Sequence, residues 1–577
     1  MPDTSDARAL ATRLAGLSDA VLADALAVRG IAPSVNWHDY FDAADGLLDA
    51  ASIDRSLHRL PRSVLTALHA GVPIPAEPGA TLSRLLLADV DGLPYQAVSA
   101  RVTEAAAAHP EAFIPAPTAA TPEPSDEAQC AASAEHVFAI VATLADLLLA
   151  SLHAPLGRTG AGTVSAADRR RLVEAGVLDA GDDLDDLIAA AVAAGLAHSA
   201  EREWVADAEA ETWLRESTTS RWRLVAEGLR DGLPPDLRTP DGGYVPLPAW
   251  ADAFPLDPDW PTRTAQALRI AEQWTLVLPD GTEPPWARSI REGGEADTST
   301  LAAYLPAEID RVYLQADLTA IAPGPLSPPL DLRLRAIAHR ESRAQASTYR
   351  FSADSLRSGI IDGESAESIR SFLSELSLTG IPQPLDYLIE STANRHGRVT
   401  VGTDAATGRT RVDTDDPQLR DTLAIDQALR PLGLVPDQDR LTTRAHRDAV
   451  YWALVDARYP VIAVDDDGAP LPLRRRRASA GDGSAAANPY DRLIATLRSG
   501  AGQDDDADAA WLVRELEQAV RARAVIAVAV KLPDGSARTF TIEASGLGGG
   551  RLRGRDRGAD VERTLPVSSI VSVQPVA

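Results

Sequence analysis

Apolar residues recur at three- and four-residue spacings from Leu10 to Leu26 and again from Ile53 to Leu68, the period that places them on one face of a helix. The segment up to about Pro115 is therefore predicted to be helical, punctuated by Pro61 and by the run Pro73 to Gly79. Its aromatic residues Trp37, Tyr40 and Phe41 are expected in the core. Beyond Ala131 the pattern predicts helices over Val137 to Leu152, Ser165 to Ala175 with Ser165 as cap, and Asp182 to Leu196, then a strand pair across His198 to Asp207. That is the order of a winged helix. Residues 208 to 305 continue with helices from Trp213 and from Pro261, and Trp213, Trp222, Trp260 and Trp274 are spaced as core anchors.

From about residue 306 short alternating runs intervene between helical ones. VYLQADLTAIA, STYRF, RVTV, RTRVD and VIAVD read as strands; PPLDLRLRAIAHRE, ESIRSFLSEL, PLDYLIESTANRHG, DPQLRDTLAID and HRDAVYWALVDARYP read as helices. Gly397 after His396 is a helix stop, and Pro382 and Pro384 bracket a start. One α/β unit over 306 to 470 is expected. Two stretches cannot build a core: Pro115 to Ala128, rich in Pro, Ser, Thr and acids, and roughly Gly468 to Ala509, which holds both LRRRRAS and QDDDAD. The last seventy residues read as a helix, WLVRELEQAVRAR, and then strands around a PDG turn at Pro533 to Gly535.

The whole is a multidomain chain, mainly α with α+β parts. The expected divisions are a helical domain over 1–115, a linker over 116–130, a winged-helix and helical region over 131–305, the α/β domain over 306–470, a linker over 471–508 and a β domain over 509–577. A length of 577 residues agrees with several domains.

Charge narrows the function. The formal net charge is -27, so the molecule as a whole repels phosphates and any nucleic-acid contact must be local. The third helix of the winged-helix order carries Asp182, Asp183, Asp185 and Asp186 and no base, opposite to what a major-groove reader presents. It is read as a protein-interaction or spacer module, with Arg169, Arg170 and Arg171 on the second helix as the alternative backbone contact. Two arginine groups are the candidate nucleic-acid-binding residues. Arg474, Arg475, Arg476 and Arg477 form either a phosphate clamp or a solvated linker run. Arg551, Arg553, Arg555 and Arg557 lie where strand alternation puts the first three on one face and turns Leu552 inward, in a unit with ten basic and seven acidic residues; the alternative is a solvated face balanced by Asp556, Asp560 and Glu562.

Catalytic signatures are missing from the sequence. Ten dispersed histidines offer no HExxH, no GxSxG elbow or GxGxxG turn follows a strand, and a lone cysteine, Cys130, excludes an internal disulfide and a thiolate cluster. The single lysine, Lys531, sits in VIAVAVKLPDG and not after the glycines of a phosphate loop. No catalytic residue, metal or cofactor is expected. The acidic start MPDTSDARAL does not read as an export signal, and the apolar window Val137 to Leu152, with Asp146 inside it, is shorter than the ~20 residues of a span. A cytoplasmic protein without a membrane segment is expected; arginine almost wholly replaces lysine, a bias usual in bacterial genomes rich in G and C.

Ile309 to Val401, carried by VYLQADLTAIAPGPL, ESRAQASTYRFS and IPQPLDYLIESTANRHGRVTV, resembles the N-terminal accessory domain of XPB-type (Ssl2-type) DNA helicases. It covers roughly a sixth of the chain and comes without a motor. The C-terminal unit resembles the WYL domain, a small SH3-like barrel of bacterial regulators, in degenerate form: the family's Trp-Tyr-Leu strand falls on Arg551, Leu552 and Arg553, and Ser569 stands where an arginine precedes the closing isoleucine. A winged helix followed by an XPB-like domain resembles the subunit of eukaryotic transcription factor IIH that docks onto XPB. The resemblance implies a non-catalytic helicase-associated adaptor with an XPB-type helicase or DNA-repair assembly as partner. The rival is a transcriptional regulator whose winged helix and WYL-like unit bind DNA and a small or nucleotide ligand.

Overall fold

The computed structural model describes residues 4–71, 82, 84–116, 119–179, 181, 183–343, 346–395, 398–404, 407–465, 468, 471, 488–501, 507–532 and 536–575. The chain is multidomain and, among the described residues, about half helical with four small sheets. It divides into two compact units: residues 1–119, 248–265 and 484–577 form one, residues 120–247 and 266–483 the other.

In the first unit the amphipathic N-terminal helices bury Leu10, Leu14, Leu22, Leu26, Ile53 and Leu65 in one cluster. Tyr40 is buried there, and Trp37 and Phe41 pack against it. Arg29 is a strut through this core: its guanidinium donates to the carbonyl of Leu85 at 2.8 Å, to Ser52 Oγ at 2.7 Å and to the Leu47 carbonyl. Burial pulls its pKa down to about 10, still far above neutrality, so it stays charged.

One stretch read as linker is not wholly so. Residues Asp491–Ala501 form a helix, and Tyr490, Leu493, Ile494 and Leu497 are buried in the N-terminal cluster. Tyr490 donates its hydroxyl to the carbonyl of Ile31 at 2.8 Å, and Arg498 pairs with Asp19 at 2.9 Å. The spacing 490, 493, 494, 497 is one helical stripe; the charged runs on either side mask it. Likewise the helix predicted over Val137 to Leu152 spans Glu127–His153, opened by a capping box between Asp126 and Gln129. Over Glu127–Leu152, 26 residues, this helix is long and apolar enough, by length and composition, to cross a membrane. Its Val137, Val141, Leu144 and Leu148 are buried inside protein, and its Asp146 is ion-paired.

The same long helix begins a compact helical module in the second unit. Strand Leu156–Gly157, helices Ala166–Glu174 and Leu184–Ala193, and strands Ala197–Ser199 and Glu203–Ala206 follow, the last strand lying between the other two in a three-stranded sheet. Trp213, Trp222, Trp274 and Trp286 are fully buried, and Trp222 donates its indole N–H to the carbonyl of Trp274 at 2.9 Å.

Helix and strand alternate through residues 306–470 as expected, yet they build two sheets. Tyr313–Leu314, Thr319–Ala322, Ser347–Arg350 and His339–Arg343 form the first, in that order, over a cluster that includes Leu334, Phe351, Leu373 and Leu385. Val435–Asp437, Arg440–Thr443, Thr410–Asp413, Val399–Thr403 and Val461–Ala463 form the second, over Val401, Val412, Leu441 and Leu454. Alternation along a chain does not fix which strands pair. The helix Ala353–Ile361 and the hairpin of Val435–Asp437 with Arg440–Thr443 are additions to the predicted elements. His396 and Gly397 lie outside the described residues.

The C-terminal strands form a five-stranded antiparallel sheet in the order Val561–Pro566, Arg551–Asp556, Ala537–Gly548, Val525–Lys531, Ile570–Pro575. The expected barrel does not close: among the described residues no ladder joins Val561–Pro566 to Ile570–Pro575. The helix Ala507–Ala522 instead contributes Leu516 and Ala519 to the core on one face. The PDG turn lies outside the described residues.

Four hairpins share one geometry that escaped the sequence reading. The N–H groups of Asp89, Thr159, Thr239 and Leu278 donate to the carbonyls four residues on, and Gly92, Gly162, Gly242 and Gly281 donate back to those first residues. Each of these glycines has φ between 79° and 88°, a region that favours glycine, so the recurring glycine was the available signal. A different glycine constraint operates at Gly243, where an added Cβ would stand 1.9 Å from the carbonyl oxygen of Arg291. Gly243→Ala is expected to cost about 1–3 kcal/mol through forced backbone displacement. Gly160→Ala, where a Cβ meets open space, is the near-neutral control, and thermal unfolding of both variants checks the difference.

Candidate nucleic-acid interface

The hairpin joining Ala537–Gly548 to Arg551–Asp556 turns through Gly549 and Gly550 at φ 59° and 71°, the pair of positive values a two-residue turn of this twist requires. Beyond it the side chains alternate. Leu552 is buried in the core, Gly554 lies where a Cβ would come 2.3 Å from Ile542, and Arg551, Arg553 and Arg555 face outward.

Their surroundings divide the row. Arg555 pairs with Asp560 at 2.7 Å and has Glu543 and Glu562 as cross-strand neighbours. Arg557 pairs with Glu543 at 2.8 Å. Arg551 is flanked by Gly548 and Pro566, and Arg553 by Gly546 and Thr564, so no acid stands opposite either. Among the described residues neither has an ion pair. The free positive charge is thus two guanidiniums at the hairpin end, their Cα atoms roughly 7 Å apart. Two adjacent cations on an open glycine shelf suit contact with successive phosphates.

Beneath this face Asp556 is buried and accepts from Arg563 at 2.5 Å and from the N–H of Gly558 at 2.9 Å. The Arg563 guanidinium first of all, then the backbone donors, hold its carboxyl below the usual range against the opposing effect of burial.

Arg474, Arg475, Arg476 and Arg477 lie outside the described residues. On the helix Ala166–Glu174, Arg169 is tied to Asp185 at 3.1 Å and Arg171 to Asp168 at 2.7 Å, which leaves Arg170 exposed. The acidic third helix is built differently from its sequence reading. Asp183 caps it, Asp185 also accepts from the N–H of Val164, and Asp186 is buried and accepts from Arg269 at 3.0 Å and Gln266 at 2.9 Å. Asp182 lies outside the described residues. Leu184, Leu187, Ile188, Ala190 and Ala191 are buried too, and Gly228 approaches so closely that a Cβ there would stand 2.6 Å from the carbonyl oxygen of Ala193. Its outward stripe is reduced to Asp185, Ala189 and Val192, the last 40% exposed, with no base on it. Asp183, Asp185 and Asp186 are all engaged within the fold. Among the described residues no group of His, Cys, Asp and Glu is arranged to hold a metal ion.

Residues 312–436 match the family described as the helicase conserved C-terminal domain. The match covers less than a quarter of the chain and makes that stretch helicase-related. It starts at the first strand of the first sheet and ends inside the second. Comparison with curated proteins finds no match.

Two outcomes test the C-terminal face. Replacing Arg551 and Arg553 by Ala is expected to abolish whatever salt-dependent affinity the protein has for single- or double-stranded nucleic acid. Two phosphate contacts give a log-log salt slope of about -1.4 to -1.8. Arg557→Ala changes it little, as fluorescence anisotropy at varied salt will show. The second concerns acid. Since the carboxyl of Asp556 titrates lower in the folded protein than in the unfolded chain, its stabilisation is complete above about pH 4 and is lost as pH falls through the folded value. Unfolding of the C-terminal sheet below pH 4, followed by near-ultraviolet or exchange signals, is expected to lose this acid dependence in Asp556→Asn.

Proposed function

We infer that the chain is a non-catalytic, helicase-associated adaptor that binds an XPB-type DNA helicase or a related DNA-repair assembly and positions or regulates it. The observation that carries the reading is the pairing of a helicase-related stretch at 312–436 with a single lysine that has no place in a phosphate loop. Lys531 closes the strand Val525–Lys531 and is exposed. Phosphoryl transfer by a motor depends on a lysine cradled among backbone N–H groups at the end of a glycine loop. The XPB-like identity of the lobe rests on the quoted residues 309–401. The helix, strand, helix, helix, strand, strand order of residues 127–206 supports a winged helix, and its third helix, largely buried and with no base on its outward stripe, favours use as a scaffold over base reading. The buried cysteine Cys130 is compatible with work in a reducing cytoplasm.

The rival, a regulator that binds DNA through its winged helix and a ligand through the WYL-like sheet, draws its support from Arg551 and Arg553. Strong, salt-dependent binding of duplex DNA by the whole chain, with no affinity for the purified XPB-type helicase of the same genome, would favour it. The adaptor reading predicts the reverse. It also predicts no ATP turnover by the purified protein, with or without DNA, and no change in Lys531→Ala; phosphate release that Lys531→Ala removes would sink it.

A further inference from the structure

The helicase-related lobe and the helical module before it meet through charge. Asp146, on the helix Glu127–His153, is 3% exposed and lies 2.7 Å from Arg335, on the helix Pro328–Ile337. Its other oxygen accepts from Arg340, on the strand His339–Arg343, 194 residues away in sequence. Asp331 stands 3.6 Å from Arg335 and 3.9 Å from Arg340, and Tyr349 donates its hydroxyl to Asp331 at 2.5 Å. Two arginines face two aspartates in direct contact, with the buried Arg221 guanidinium and Glu308 acting on the same group from further off; of the four charges in contact, one comes from the module and three from the lobe.

The apolar packing nearby does not cross the same boundary. The cluster that holds the lobe together, from Val312 to Ile389 with its partly buried neighbours, draws every described member from residues 309–389. The lobe therefore has a core closed on itself, joined to the module through a largely buried ionic contact. Such contacts are directional, and removing one partner leaves the others uncompensated, which makes them all-or-none.

We propose that Asp146, Arg335, Arg340 and Asp331 form a charge-keyed joint that fixes the lobe to the 127–206 module in one orientation and releases it as an intact body when the Asp146 charge is lost. In the released state Arg335 and Arg340 face solvent with only Asp331 to balance them. The proposal does not depend on the adaptor reading, because it concerns the chain alone.

Hydrogen exchange read by mass spectrometry on the full chain tests it. Asp146→Asn is expected to speed exchange together in 145–152, the end of the long helix, and in the edge strand 339–343, on the order of a hundredfold, the scale for breaking a buried pair. Exchange in 369–376 and 410–413 stays unchanged. Asp146→Leu combined with Arg335→Met, Arg340→Met and Asp331→Asn, which removes all four charges of the key, restores slow exchange. Arg340→Gln leaves Asp146 balanced by Arg335 and gives the same pattern at lower amplitude, which serves if Asp146→Asn does not fold. Unchanged exchange in both single variants, or acceleration that spreads through 369–376, overturns the proposal, the latter by showing that the cluster belongs to the core of the lobe.

Discussion

An excess of carboxylate over guanidinium decides which arginines remain for anything outside the fold. With 83 acidic residues against 56 basic ones, an arginine placed at random on this surface finds an acid nearby, and most described arginines have done so. Arg84 holds Asp24, Arg101 holds Asp54, Arg333 holds Glu364 and Arg370 bridges Asp386 and Glu390. Exposed pairs of this kind add little stability each. Their effect is to cancel field. A positive surface survives where the chain withholds acids, and the glycine hairpin at 546–550 does that by offering Arg551 and Arg553 no cross-strand side chain from its own strand.

The same constraint explains why acids appear in the interior. Asp186 beneath Arg269 and Asp146 beneath Arg335 and Arg340 are buried anions whose cost is offset by planar, many-donor guanidiniums. Glu283, with 1% of its side chain exposed, is held by Arg291 at 2.8 Å, and its pKa is nevertheless raised because burial outweighs the arginine. For Asp186 and Asp146 the charge ties elements distant in sequence, a task that apolar contacts perform without choosing an orientation. Arginine is suited to it because it remains charged even when buried, as Arg29 does.

Much of the local structure was legible from period and caps. The helices after Ser165 and Asp183, the strands at 399–403 and 410–413 and the outward arginine row all follow from spacing and from the chemistry of capping residues. Pairing was not legible. Nothing in the alternation over 306–470 says that Thr319–Ala322 stays with Ser347–Arg350 while Val399–Thr403 pairs with Thr410–Asp413 and Val461–Ala463, because strand partners are chosen by long-range packing. Charge partners were equally hidden. The four aspartates of DDLDD looked like a repulsive surface since sequence shows their number and not that Arg269 and Arg169 reach them. The helix Asp491–Ala501 was missed for a related reason: a correct stripe of four apolar residues was outweighed by the composition on either side of it.

The helicase-related match and the sheet boundaries do not coincide, and the mismatch bears on what the matched segment does. At residue 436 the match stops inside the third strand, in chain order, of the five in the second sheet. The strand Thr410–Asp413 still needs Arg440–Thr443, with Leu441 opposite Val412, and Val399–Thr403 still needs Val461–Ala463, with Val461 opposite Val399 in the only parallel pair among the described ladders of this sheet. Ending the fold at the match would bare both central strands and expose Val401 and Val412, now buried. The matched stretch is therefore not a free-standing body here. Its second half is completed by residues outside the match, its first half has its own core and meets the module through Asp146, and whatever surface it presents to a partner is set by those two attachments.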